Sequence, residues 1–165
     1  MSIPEESIFI TGGNGLVGSC VKGKHRPRSS EVDLLNFDQT LEYMRDNKIK
    51  NVVHCAARVG GVQENMDKLG EFFYENMQMT LNIIEASRLC GVEKMVCLLS
   101  TCIFPDKATY PLTTDQIHMG EPHPSNYGYG YAKRMTEINA RSYRDQYGMK
   151  IVNIVPCNVY GIGDN

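Results

Sequence analysis

Short apolar runs alternate along the chain with longer segments whose apolar residues recur every three or four positions. Four runs have the length and composition of buried strands: residues 7–11, 51–55, 95–99 and 150–155. Two longer segments have the spacing of amphipathic helices: residues 70–91, ended by Gly91, and residues 128–147, ended by Gly148. A shorter helix is predicted over residues 38–48, with Asp38 placed to cap its start.

The order of these elements predicts the fold. Strands and helices alternate, which is typical of an α/β domain with a doubly wound parallel sheet, a Rossmann-type fold with helices on both faces. Ligands of such sheets bind beyond the carboxyl ends of the strands. Three segments directly follow strands and are therefore expected to meet at one edge of the sheet: "TGGNG" (11–15), "AARVGG" (56–61) and "STCIFP" (100–105). Residues 100–126 form a loop too long for a simple connection, and such loops are commonly functional.

Composition and charge narrow the class of protein. The 165 residues, 42% hydrophobic and 22% charged, are typical of one globular domain, predicted over residues 1–165. A net charge of -2 argues against a dedicated nucleic-acid binder. The one basic cluster, residues 22–28, is interpreted as a solvated loop, with contact to an anionic ligand as the alternative.

The cysteines and the lengths of the apolar runs indicate whether the chain binds a metal and in which compartment it works. The 6 cysteines and 4 histidines do not combine at zinc-ligand spacing, so no metal site is predicted. No signal peptide opens the chain, and no apolar run reaches membrane-spanning length. We therefore expect a reducing, cytoplasmic setting without a membrane partner.

The glycines of the motif Gly12-x-x-Gly15-x-x-Gly18 come directly after the first predicted strand. Glycines permit a tight turn and let the backbone approach a pyrophosphate, and a helix after them adds amide donors and partial positive charge. Glycines also occur in many ordinary turns, so the motif alone is weak. The strand before it and the helical start predicted after it favour dinucleotide binding.

Tyr129 and Lys133 stand four residues apart in a predicted helix and therefore share one face. An ammonium group near a phenol stabilises the phenolate, which predicts that Lys133 lowers the pKa of Tyr129 towards neutral. Such a tyrosine can exchange a proton with a substrate carbonyl or hydroxyl. The pair alone is weak in a chain with 9 tyrosines. Together with the glycine motif and with Ser100 at the end of a strand, it indicates a reductase.

Other segments are more specific than this pair: "TGGNGLVGS", "HCAARVGGVQEN", "ENM", "LLSTCIFPDKATYPL", "NYGYGYAKR" and "PCNVYGIGDN". With them, nearly the whole chain resembles the extended short-chain dehydrogenase/reductase family, and within it the GDP-L-fucose synthase branch. A cysteine at the position of Cys102 is the most informative feature, because other extended reductases usually lack it.

The resemblance implies NADPH-dependent 3,5-epimerisation and 4-reduction of a GDP-sugar, GDP-4-keto-6-deoxy-D-mannose, by a homodimer. It implies that Tyr129 is the acid of the reduction and that Lys133 tunes it and holds the nicotinamide ribose. Ser100 would hydrogen-bond the C4 oxygen, and Asn126 and Asn158 would also face the sugar. Cys102 would be the base or acid of the epimerisation; its alternative is a packed core thiol.

The resemblance also implies a set of residues that contact NADP(H). The glycine loop would wrap the pyrophosphate, an acidic-plus-apolar pair would meet the adenine, and the segment after the last strand would meet the nicotinamide. The residues are Gly12, Asn14, Gly15, Leu16, Gly18, Asp33, Leu34, Ala56, Ala57, Val59, Tyr129, Lys133, Pro156, Asn158 and Val159.

The chain departs from this family in two places. Residues 19–33 are too short and too polar for the family's helix and second strand, so that strand is predicted to be shortened or missing. Arg26, Arg28, Ser29 and Ser30 are candidates for its role at the adenosine 2′-phosphate or ribose. The family also continues beyond this length with a substrate domain and a catalytic histidine, so residues 1–165 are expected to lack that domain.

Three hypotheses remain open from the sequence. The first is the cofactor-binding part of a GDP-L-fucose synthase. The second is an NAD-dependent nucleotide-sugar epimerase or dehydratase, which needs no catalytic cysteine. The third is a catalytically inactive fragment that binds cofactor or pairs with another subunit through its two long helices.

Overall fold

A four-stranded parallel sheet in the order β1-β2-β3-β4 forms the centre of the computed structural model, which describes residues 3–161. The strands are β1 (Ile8–Thr11), β2 (Asn51–His54), β3 (Lys94–Leu98) and β4 (Ile151–Ile154). All four predicted strands are present within one or two residues of their expected bounds, and the parallel α/β fold is confirmed. The last residues of the "PCNVYGIGDN" segment, 162–165, lie outside the described residues.

Four α-helices accompany the sheet: α1 (Phe37–Asp46), α2 (Val62–Asp67), α3 (Leu69–Leu89) and α4 (Tyr127–Tyr147). The predicted cap of α1 is wrong: the Asn36 side chain, not Asp38, accepts the hydrogen bond from the Gln39 amide. Helix α2 has six residues, too few for an apolar period to be visible in the sequence. No helix between residues 3 and 161 is long and apolar enough to cross a membrane.

The main core lies on one face of the sheet. Phe9, Val52, Met95 and Ile151 form one row across the four strands, and all are buried. Side chains of α1, α3 and α4 pack against this row, so the three long helices share that face. On the other face, Val152 remains 58% exposed. The prediction of helices on both faces is therefore met on one face only in the described part of the chain.

Residues 18–36 form no strand of the sheet, which confirms that the second strand is missing. They also lack the helix that was expected to begin after the glycine loop. After Gly18 the chain forms only a 3₁₀ turn, Gly18–Cys20, where the start of a helix was predicted. The following segment runs beside β1 and makes a single bridge, with the Ile10 amide donating to the His25 carbonyl at 2.9 Å. The polar composition explains this result, since the segment has no apolar run that could fill an interior strand.

The predicted loop at residues 100–126 contains only short 3₁₀ turns, Thr101–Ile103, Thr114–His118 and Pro124–Asn126. A small second core holds it together, with Leu99, Ile103, Phe104 and Ile117 buried. Gly130 of α4 lies directly beneath this loop, because a Cβ there would come within 2.7 Å of the Cys102 carbonyl oxygen. The loop can therefore bring Cys102 against the start of α4.

Candidate active site

Two cavities lie beyond the carboxyl ends of the strands and meet at Val59, which lines both. The larger has a volume of about 860 Å³ and the smaller about 250 Å³. The glycine loop and the "AARVGG" segment line the larger cavity. Val59, Gly60 and Cys102 line the smaller one, together with the start of α4. The predicted meeting of the three segments at one sheet edge is therefore present.

Ten of the residues that the resemblance associates with a dinucleotide line the larger cavity. They come from the glycine loop, from the acidic-plus-apolar pair and from the segment after β2. These residues are Gly12, Asn14, Gly15, Leu16, Gly18, Asp33, Leu34, Ala56, Ala57 and Val59. Gly12 has a φ of 64°, and a Cβ on it would lie 2.8 Å from the Ala56 amide nitrogen, so only glycine fits where the two segments meet.

Five residues of the predicted cofactor set do not line this cavity. Tyr129 lines the smaller cavity instead, and Lys133 is buried, with 3% of its surface exposed. Pro156, Asn158 and Val159 lie on the segment after β4 and line neither cavity. Their contacts with a nicotinamide or a sugar stay predictions.

The structure separates the four candidates for an adenosine 2′-phosphate. Arg28 and Ser29 are exposed and line the larger cavity beside Asp33, whereas Arg26 and Ser30 do not line it. No carboxylate among residues 3–161 lies within ion-pair distance of the Arg28 guanidinium. Arg28 is therefore available to an anionic ligand, while the Arg26 guanidinium bonds four backbone carbonyls.

Sequence reasoning missed Arg58, Glu75 and Met79, which also line the larger cavity. The Arg58 guanidinium pairs with Glu71 at 3.0 Å, with Glu64 at 3.6 Å and with Glu75. Three carboxylates offset its charge, so it ties the loop after β2 to α2 and α3. The Asn76 side chain holds the backbone of Arg58. It donates to the Arg58 carbonyl at 3.0 Å and accepts from the Arg58 backbone amide at 3.1 Å. The "ENM" segment at residues 75–77 was the sequence signal that could have indicated Glu75 and Asn76.

The smaller cavity brings together Cys102, Asn126 and Tyr129, as the sequence predicted. The Asn126 amide donates to the Cys102 sulfur at 3.0 Å and thereby fixes its position. Ser100 lies just behind, where its hydroxyl accepts from the Cys102 amide at 3.3 Å. Asn65, which sequence reasoning missed, also lines the cavity. The side-chain oxygens of Asn65 and Asn126 are buried and have no hydrogen-bond partner among the described residues.

The electrostatics of Tyr129 differ from the expectation. Burial raises the pKa of Tyr129 to about 12, the Cys102 sulfur adds to the rise, and a hydrogen bond with Ser100 acts in the opposite direction. The expected lowering of this pKa by Lys133 is absent. The Lys133 ammonium donates to the Leu98 carbonyl at 3.1 Å. In this arrangement Tyr129 is a protonated acid at neutral pH.

Burial also sets the pKa values of the two basic groups beneath the cavities, Lys133 and His54. It lowers the pKa of Lys133 to about 8, against a smaller opposing effect of Cys97 and Cys55. It lowers the pKa of His54 to about 3, and the Lys133 charge adds to that decrease. His54 is therefore neutral and bonds the Thr11 hydroxyl at 2.7 Å, while Lys133 is the main positive charge beneath the site.

Lys133→Met is expected to raise the free energy of unfolding by about 2 kcal/mol at neutral pH. The lowered pKa corresponds to a penalty of about 3 kcal/mol on the buried ammonium, and the lost hydrogen bond to Leu98 offsets about 1 kcal/mol of the gain. The pKa is 10.5 unfolded and about 8 folded. The penalty is therefore complete below the folded value and disappears as the pH rises through the unfolded one.

Urea denaturation of both proteins at neutral pH and above pH 10.5 measures this effect. Lys107→Met, at an exposed position of the loop, is the control and should leave stability nearly unchanged. A Lys133→Met protein no more stable than the wild type at neutral pH would contradict the pKa assigned to Lys133.

The parallel sheet, the glycine loop and the cavities at the carboxyl edge define a Rossmann-type α/β domain. Residues 20–165 match the NAD dependent epimerase/dehydratase family, and the chain belongs to that family. The match begins just after the glycine loop, where the segment is shortened.

Individual relatives carry more specific names. A GDP-L-fucose synthase of Dictyostelium discoideum is 42% identical over 98% of this chain and 54% of that protein. The GDP-L-fucose synthase of Escherichia coli is 31% identical over 98% of this chain and 53% of that protein. The crystal structure of a GDP-L-fucose synthetase from Naegleria fowleri bound to NADP has a TM-score of 0.89 and 34% identity, covering 100% of this chain and 54% of that one. The chain spans about half the length of the curated relatives it matches.

Proposed function

We propose that residues 1–165 form the NADP(H)-binding part of a GDP-L-fucose synthase, which converts GDP-4-keto-6-deoxy-D-mannose by 3,5-epimerisation and 4-reduction. One observation carries the proposal: a dinucleotide-sized cavity meets a smaller cavity holding Cys102, Asn126 and Tyr129. The names of the relatives and the NADP bound to the Naegleria fowleri protein support the same reading.

The larger cavity fits NADP(H). Arg28, Ser29, Asp33 and Leu34 line it together, where they can take an adenosine and its 2′-phosphate. The amides of Asn14, Leu16 and Val17 have no acceptor among residues 3–161 and belong to residues that line the same cavity, where they can meet a pyrophosphate. When bound, the cofactor supplies the hydride for C4.

The residues of the smaller cavity fit the two proton transfers. A C4 ketone acidifies the protons on C3 and C5, and Cys102 is proposed to remove and return them. Tyr129, a protonated acid at neutral pH, is proposed to give a proton to the C4 oxygen during reduction. Ser100 would donate a hydrogen bond to that oxygen as negative charge develops.

The smaller cavity also fits a sugar. The unpartnered side-chain oxygens of Asn65 and Asn126 are acceptors, which suits hydroxyl groups of a hexose. Burying these oxygens without a partner is unfavourable, so a hydroxyl that reaches them gains a hydrogen bond and relieves the desolvation cost. The two asparagines are therefore proposed to select a polyhydroxylated substrate.

Titration of the chain with NADPH and NADH, followed by cofactor fluorescence, tests the cofactor assignment. In the full-length protein, addition of GDP-4-keto-6-deoxy-D-mannose should then cause loss of NADPH absorbance. Tight retention of NAD+ with no NADPH consumption would favour the NAD-dependent epimerase or dehydratase. Binding of NADPH with no turnover would favour the inactive fragment, and no binding at all would refute a cofactor-domain role.

We also propose a homodimer in a cytoplasmic setting. Phe73 and Leu81 of α3 are 41% and 43% exposed, which leaves apolar surface on a long helix for a second copy. All 6 cysteines are free, as a reducing compartment would keep them. Sedimentation of the purified chain at several concentrations tests the dimer.

A further inference from the structure

The glycine loop is not followed by a helix in this protein. Dinucleotide-binding loops normally lead into a long helix, whose first turn holds the loop and carries partial positive charge. Here the 3₁₀ turn Gly18–Cys20 is all that follows, and Val21 is already extended. Some other group has to hold the loop in a shape that can take a pyrophosphate.

Arg26 makes the contacts that such a group would need. Its guanidinium donates to the carbonyl oxygens of Gly13 at 3.2 Å and of Gly18 at 2.9 Å, which stand at the two ends of the loop. It also donates to the carbonyls of Gly23 at 3.0 Å and of Val21. Its aliphatic stem packs on the loop, since a Cβ on Gly13 would come within 3.0 Å of the Arg26 Cβ.

These contacts determine which way the loop presents its polar groups. The carbonyls of Gly13 and Gly18 bond Arg26, which does not line the larger cavity. The amides of Asn14, Leu16 and Val17, which have no acceptor among residues 3–161, belong to residues that line that cavity. Binding the carbonyls on one side leaves the amides for an anion on the other.

We propose that Arg26 is a positioning residue that takes the place of the missing helix, holding the glycine loop for the cofactor pyrophosphate. The inference rests on the proposed NADP(H) function. Arg26 does not act as a direct ligand of the 2′-phosphate, because four of its five N–H donors bond backbone carbonyls and the residue does not line the larger cavity. That direct role falls to Arg28, which gives the experiment a matched control.

The test compares wild type, Arg26→Met, Arg26→Lys and Arg28→Met with three probes: NADPH, NADH and adenosine 2′-monophosphate. The last probe reaches the adenosine end of the cavity but has no pyrophosphate. Arg26→Met should weaken NADPH and NADH alike by about tenfold or more and leave adenosine 2′-monophosphate binding unchanged. Arg26→Lys should lie between, since an ammonium cannot serve four carbonyls. Arg28→Met should weaken NADPH and adenosine 2′-monophosphate but not NADH.

Three results would overturn the proposal. Unchanged NADPH binding by Arg26→Met would show that the loop keeps its shape without Arg26. Equal weakening of all three probes would show that Arg26 supports the domain in general and not the loop. Failure of the wild-type chain to bind any probe would overturn the proposed function along with this inference, whereas the first two results leave that function intact.

Discussion

Arg134→Met is expected to lower the free energy of unfolding by about 4 kcal/mol. The Arg134 side chain is 3% exposed and donates to the Ile103 carbonyl at 2.9 and 2.6 Å and to the Gly120 carbonyl at 2.8 Å. It also lies over the Tyr131 ring, 5.0 Å from its centroid. Methionine fills a similar volume but cannot donate, so the buried carbonyls lose their charged partner.

Chemical denaturation of the two proteins measures this effect. Arg141→Met is the matched control, because Arg141 is exposed on the same helix and pairs with Glu137 at 3.7 Å, a surface contact of small value. We expect the control to change stability by about 0.5 kcal/mol or less. Equal stability of Arg134→Met and the control would contradict the assigned role.

The loss of Arg134 should also loosen the loop that carries Cys102. Arg134 ties Ile103 and Gly120, two distant points of the loop at residues 100–126, to α4, and Ile103 is next to Cys102. Amide hydrogen exchange in residues 100–126 should therefore become faster in Arg134→Met at denaturant concentrations where the sheet stays folded. Exchange that is faster in the sheet as well would point to general destabilisation and not to the loop.

In the full-length protein, Cys102→Ser is expected to slow the exchange of the substrate C3 and C5 protons with solvent about 100-fold or more, the typical contribution of a positioned acid or base. A serine hydroxyl at the same position is a far weaker base than a thiolate. NADPH binding should be unchanged, because Cys102 lines the smaller cavity and not the larger one. Nuclear magnetic resonance of GDP-4-keto-6-deoxy-D-mannose in deuterated water measures the exchange.

Cys90→Ser is the control for this substitution. Cys90 follows α3 and precedes β3, so it lies at the opposite end of the strands from the cavities. Its substitution should leave both exchange and NADPH binding unchanged. If Cys102→Ser exchanged the C3 and C5 protons as fast as wild type, Cys102 would be an ordinary packed thiol.

Much of the fold and of the candidate site was predictable from local patterns. The four apolar runs became β1 to β4 because short runs rich in apolar and β-branched residues favour strands that pack against helices. The segments after those strands met at one edge because parallel strands place their carboxyl ends together. The lining of the larger cavity by Gly12 and Ala56, which follow β1 and β2, results from that topology.

Other features could not be predicted, because they depend on contacts between distant parts of the chain. Asn36 replaced Asp38 as the cap of α1, since the exact start of a helix is set by the chain that enters it. The pKa of Tyr129 is raised to about 12 where a decrease was expected. Tyr129 and Lys133 share one helix, but burial of the Tyr129 phenol decides the direction of its pKa shift.

The sequence by itself therefore determined the four parallel strands, the edge that carries the site and the residue types gathered there, because apolar periodicity and short motifs are local properties. The tertiary structure decided what each buried cation does. Lys133 donates to the Leu98 carbonyl beneath the site. Arg134 holds the loop at residues 100–126, and Arg26 holds the glycine loop. Those roles depend on which backbone carbonyls surround each side chain after folding, and no local pattern encodes that.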